Sequence, residues 1–253
     1  MAGANAATKP GQPGPAGGAG SLWGNQDVRT VRNLRLGVGV IGALLPVALI
    51  AVNRIIGHTW VVPPAISGSY YTSARNLFVG ALCALGVCLI FYRHTRLQDL
   101  CSSFAGVCGV IVAFAPTAPP PPASEPAWIN YLHLSAAGAL IFTLGLFCLV
   151  VVTEYDRPDL AAPQSLADRV AGWASRFVAW LRSAWDSLRH GRRSSLYLIC
   201  GFLVLAAGVL GVYTGVWPPG WSTGWSSLYL FEGIAGFSFG VAWIAAGLQA
   251  VPQ

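Results

Sequence analysis

Glu232 lies inside an apolar run, "SSLYLFEGIAGFSFGVAW". A carboxylate set among Phe231, Ile234 and Phe237 must find a partner or hold a proton. Three roles stand open for it: an ion pair with Arg75, one wall of a polar cavity, or a lone protonated acid. Arg75 and Asn76 follow the stretch "SGSYYTS", which brings Ser67, Tyr70 and Tyr71 ahead of another apolar run. His133 sits in "INYLHLSAAGALIF", as a packing histidine or as part of a site. An acid, a base, an imidazole and several hydroxyls can hold the polar head of a ligand. They can also be drawn as a hydrolytic set, with Ser67 or Ser69 as nucleophile, His133 as base and Glu232 as acid. No GxSxG or HExxH pattern supports the second use.

A zinc site needs three or four protein ligands, and no spacing links His58, His133 and Glu232, so neither a metal nor a cofactor is expected. "GVGVIG" at 37–42 lies within an apolar run. It reads as small-residue helix packing rather than a phosphate loop, as do Gly233, Gly236 and Gly240.

The elements that must position these residues follow from composition. Hydrophobic residues make up 55% of the 253 and charged ones 9%, against roughly 25% charged in a soluble domain. The mean hydropathy is +0.59. Six apolar segments have cores at about 36–52, 77–92, 100–116, 134–152, 196–216 and 228–248. Each approaches the ~20 residues that cross a hydrocarbon core of about 30 Å. None alternates as a transmembrane β-strand does. The expected fold is all-α, a polytopic bundle of six transmembrane helices over residues 28–253. Residues 1–27, rich in Gly, Ala and Pro, read as a disordered tail that is not a cleaved signal.

With the N-terminus inside, thirteen of the fifteen Lys and Arg residues fall in cytoplasmic segments, and only Arg54 and Arg75 stay outside. The positive-inside rule then places both termini in the cytoplasm. Together with an Arg-rich, Ala/Gly-rich composition typical of a GC-rich genome, this predicts a multi-pass protein of a bacterial inner membrane. The net charge of +6 is a topology signal, and nucleic-acid binding is not expected. This orientation puts Arg75, Asn76, His133 and Glu232 at one depth, toward the outer leaflet. Glu232 lies about 6 Å past the start of the last span at 1.5 Å per residue. The six cysteines lie within or at the ends of apolar segments and read as packing residues.

The loop after the fourth segment predicts an amphipathic helix over about 165–190, started by Ser165 and Asp168. Trp173, Phe177, Trp180 and Trp185 share its apolar side, and Arg169, Arg176, Arg182 and Arg189 lie off it. Such a helix lies in the headgroups of anionic inner-leaflet lipids, packs on the protein's own cytoplasmic face, or docks a protein partner.

The blocks "SGSYYTSARNLFVGALCALGVCLIFYR", "YLHLSAAGALIFTLGLFCL" and "FEGIAGFSFGVAWIAAG" resemble segments of uncharacterised bacterial six-span membrane proteins. That family reads S-I-S-x-Y-Y-x-T-x-x-R-[DN]-x-F-V-G, then L-H, then a Glu in the last span. The resemblance implies that Ser67, Tyr70, Tyr71, Arg75, Asn76, His133 and Glu232 belong together, with Asn76 where Asp is more usual. It implies no activity. A looser resemblance is to ceramidase-like membrane hydrolases, which have seven spans and a histidine pair in the last. The reading is a non-enzymatic lipid-binding, interaction or assembly protein whose polar pocket opens to the outer leaflet. An intramembrane hydrolase of a lipid-like substrate and a small transporter are the alternatives.

Overall fold

The structure, a computed structural model, describes residues 19–60, 62–93, 96–118, 126–156, 194–216 and 226–249. The predicted amphipathic helix, with Arg169, Trp173, Arg176, Phe177, Trp180, Arg182, Trp185 and Arg189, lies outside the described residues. So do residues 1–18.

The described residues form six α-helices and one short 3-10 turn. The helices are α1 (Ala19–Ile55), α2 (Arg75–Phe91), α3 (Arg96–Phe114), α4 (Ala127–Asp156), α5 (Ser194–Val216) and α6 (Ser227–Gln249), and the turn is Ser67–Tyr71. Helix boundaries follow the apolar runs and their punctuation. Pro126 immediately precedes α4, where a missing N–H costs nothing. The main departure is at α1, which begins at Ala19, inside the tail expected to lack structure to residue 27. Between Pro15 and Pro46 there is no proline to stop a helix from running back from its apolar core.

Among the described residues four helices are long and apolar enough to cross a membrane: Arg29–Ile55 within α1, Ala127–Leu149 within α4, Ser195–Tyr213 within α5 and Ser227–Leu248 within α6. This marks the chain as a membrane protein. Helices α2 and α3 are apolar but shorter, 17 and 19 residues, or about 25 and 28 Å.

Contacts arrange the helices as a closed ring, α1–α6–α5–α4–α3–α2 and back to α1. Two seams in it are backbone against backbone. A Cβ on Gly240 would lie 2.5 Å from the Gly39 carbonyl oxygen, and one on Gly106 would lie 2.5 Å from that of Gly86. Only glycine permits this approach, so Gly39 of "GVGVIG" and Gly240 of "GIAGFSFG" serve packing, whereas a Cβ on Gly37 would meet nothing within 4 Å. The core runs down the ring axis. Leu49, Phe78, Leu89, Leu198 and Phe239 are almost fully buried. Outside, every helix carries exposed large apolar residues, among them Val47, Phe91, Phe104, Phe142, Phe202 and Phe237. All six cysteines are free thiols.

Candidate functional site

Two ends of the ring carry polar residues. At the first, the chain leaving α1 folds over the bundle before entering α2. Asn53, buried in the last turn of α1, accepts from the Ala74 amide through Oδ1 at 3.1 Å. The 3-10 turn follows Ile66, whose amide donates to Glu232 Oε2 at 2.5 Å. A carboxylate from α6 thus accepts one of the amides that the start of a helical turn leaves without a helical partner. The Ser226 hydroxyl donates to the Pro64 carbonyl beside it. Tyr229, one turn before Glu232, donates to the Pro46 carbonyl at 2.7 Å. Across the ring the Tyr71 hydroxyl donates to the Thr117 carbonyl at 2.6 Å, and the Ala118 amide to Asn130 Oδ1 at 3.0 Å. The connections at this end are therefore bonded to the helices and to each other.

Beneath them lies a cavity of about 120 Å³, measured as room for the centres of water-sized spheres, to which all six helices contribute. A single water needs roughly 10–15 Å³ on that measure. Ser67, His133 and Glu232 supply polar atoms from the 3-10 turn, α4 and α6. The remaining wall is apolar and includes Leu82, Leu85, Leu140, Leu144, Val204 and Phe239. His133 is 2% exposed, and its Nδ1 lies 2.6 Å from the Ala115 carbonyl oxygen. A carbonyl only accepts, so Nδ1 carries the hydrogen, and in the neutral ring Nε2 then keeps a lone pair.

The structure brings together part of the expected group. Ser67, His133 and Glu232 line one cavity. Arg75 does not pair with Glu232, so of the three roles open to that acid the ion pair with Arg75 is not the one formed. The Arg75 guanidinium stacks 4.2 Å from the Tyr70 ring centroid and donates to the Tyr70 hydroxyl at 2.7 Å, in an exposed position. The cause is ring order: α1 stands between α2 and α6, and Arg75 is the first residue of α2. Asn76 is exposed beside it. Tyr70 and Tyr71 meet edge to face at 5.2 Å, outside the cavity wall.

The hydrolytic arrangement is likewise not assembled. Glu232 is bonded to the Ile66 amide and His133 to the Ala115 carbonyl, so the acid does not orient the imidazole. Among the described residues no cluster of His, Cys, Asp or Glu fits a metal ion.

The second polar end was not foreseen as a site. Arg35 is 3% exposed. Its Nε and Nη2 donate to the Tyr92 hydroxyl at 3.0 and 2.5 Å, and Nη1 to the Ala246 carbonyl at 3.3 Å. The Tyr92 hydroxyl donates on to Gln98 Oε1 at 2.9 Å. Tyr92, Phe147 and Trp243 pack ring to ring around this group, with centroids 5.0 to 5.8 Å apart. A signal for it was present: Arg35 and Asn53 fall in register with buried Val38, Gly42, Leu45 and Leu49 on one face of α1.

No family model matches the chain, and no curated protein or solved structure matches it at a significant level.

Proposed function

We propose that this chain is a six-span protein of a bacterial inner membrane that binds a lipid-like amphiphile within its helical ring. In this reading both termini are cytoplasmic, and the Glu232 end faces the outer leaflet, as the arginine distribution indicates. Exposed apolar residues on α2 and α3, such as Val87, Phe91, Phe104 and Val107, support spans of those two helices as well. A short helix can be accommodated by local thinning of the bilayer. Reporter fusions after residues 60, 93, 118 and 193 test the six-span arrangement. It requires external reporters at 60 and 118 and cytoplasmic ones at 93 and 193; an external reporter at 93 would leave four spans.

The observation that carries the binding reading is the cavity: three polar residues, Ser67, His133 and Glu232, against an otherwise apolar wall reached by every helix. A pocket of this kind suits a molecule with a polar head and an apolar chain. The protein acts by holding that molecule, or by presenting it to a partner, and the predicted amphipathic segment would tie the inner face to anionic lipids. Native mass spectrometry of the purified protein tests this. The wild type is expected to retain an amphiphile that Leu140→Trp, which fills the wall, displaces. Equal retention by both proteins, or none by either after incubation with membrane lipid extract, sinks the reading. Turnover of a lipid-like substrate would favour hydrolysis, for which the same cavity supplies a hydroxyl and an imidazole. Transport is less well supported, because α1 runs unbroken through Pro46 and transporter sites favour interrupted helices.

A further inference from the structure

We propose that the cavity selects an amphiphile whose head donates hydrogen bonds, an amine or a hydroxyl, and rejects anionic heads such as carboxylates. This rests on the reading of the cavity as an amphiphile site. Two residues on its wall, Glu232 and His133, set the chemistry. Glu232 engages the Ile66 amide through Oε2 alone, so Oε1 keeps its accepting capacity. His133 uses Nδ1 on the Ala115 carbonyl, so Nε2 of the neutral ring is also an acceptor. Among the described residues neither Lys nor Arg lines the cavity. The two arginines described near this end are engaged elsewhere, Arg75 on Tyr70 and Arg54 4.6 Å above the Trp60 ring. An anionic head would therefore enter a mostly apolar wall with no cation to offset its charge, the unfavourable element from which specificity is built. A donor head would reach two acceptors, with its chain lying along Leu82, Leu140 and Phe239.

The test uses the full chain in nanodiscs of zwitterionic lipid. Three photoreactive probes share one alkyl chain and end in an amine, a hydroxyl or a carboxylate. Labelling of α4 peptides around Leu140 is read by mass spectrometry and normalised to the exposed face of α5. The amine and hydroxyl probes are expected to label the cavity about tenfold more than the carboxylate, a difference of about 1.4 kcal/mol. Glu232→Gln keeps an oxygen for the Ile66 amide and turns the second acceptor into a donor, so it is expected to bring the ratio close to one. Equal or stronger labelling by the carboxylate in the wild type overturns the selectivity while the amphiphile reading stands. An unchanged ratio in E232Q removes Glu232 as the selector and overturns the proposal. Labelling no greater than in Leu140→Trp for every probe sinks the amphiphile reading itself. If E232Q does not accumulate, the wild-type ratio decides the head-group claim.

Discussion

The two polar ends of the ring use similar residue types for opposite purposes. At the Arg35 end a cation, a phenol and an amide bond to one another, and aromatic rings close around them. The cavity beside them measures about 10 Å³ on the same measure, room for a single water. At the Glu232 end an acid and an imidazole each spend one atom on the backbone and line a cavity some twelve times larger. The contrast teaches that buried polarity alone does not mark a site. A group whose bonds turn inward fixes the packing of helices, whereas a group bonded on one side and open on the other can hold a ligand.

The largest way to break this comparison is at Tyr92. Tyr92→Phe removes the acceptor of two N–H groups of a buried arginine. The expected loss is about 3 kcal/mol, read as a shift in unfolding by denaturing detergent, with no change in probe labelling once corrected for folded protein. A loss below about 1 kcal/mol would mean that Arg35 finds other acceptors and that this end is not a structural lock.

The seam between the ends comes next. Gly240→Ala places a methyl carbon 2.5 Å from the Gly39 carbonyl oxygen and the Ala43 amide nitrogen. Both contacts are backbone, so α1 and α6 must move apart, at an expected cost of about 2 kcal/mol. Pro46 and Glu232, on opposite sides of this seam, would shift with it. Probe selectivity should therefore fall along with stability, unlike in Tyr92→Phe. Unaltered selectivity would show that the seam and the cavity are independent.

Much of the fold was legible because hydropathy is a strong signal over twenty residues. The last span, expected at 228–248, is the helix Ser227–Gln249. Ser67, His133 and Glu232 were legible because polar groups at the ends of apolar runs need a reason to be there. Their partners were not. Glu232 and His133 bond to backbone atoms of Ile66 and Ala115, and every residue of a chain offers such atoms. The Arg75–Glu232 pair failed for a topological reason: linear sequence does not reveal that α1 separates α2 from α6. Arg35 was overlooked because an arginine at a span boundary ordinarily extends its head to the interface. Here it turns inward to Tyr92, and only its register with Val38, Leu45 and Leu49 marked it.

The smallest effect sharpens the comparison most. Arg75 belongs to the same sequence block as Ser67, yet it lies on the outside of the Glu232 end, over an aromatic ring. An exposed cation–π contact contributes about 0.5–1 kcal/mol, and the accompanying exposed hydrogen bond adds little. Arg75→Ala is thus expected to lower stability by under about 1 kcal/mol and to leave the labelling ratio of amine to carboxylate probes unchanged. Charge alone would suggest otherwise, because removing a cation near a carboxylate-lined cavity should strengthen the preference for amines. Water and salt screen an exposed charge, so a cation on the outside of this end has little say over the cavity. A labelling ratio that rises severalfold in Arg75→Ala would mean that this arginine swings toward Glu232 in the membrane, and the Glu232 end would then have to be read as a cation-gated site.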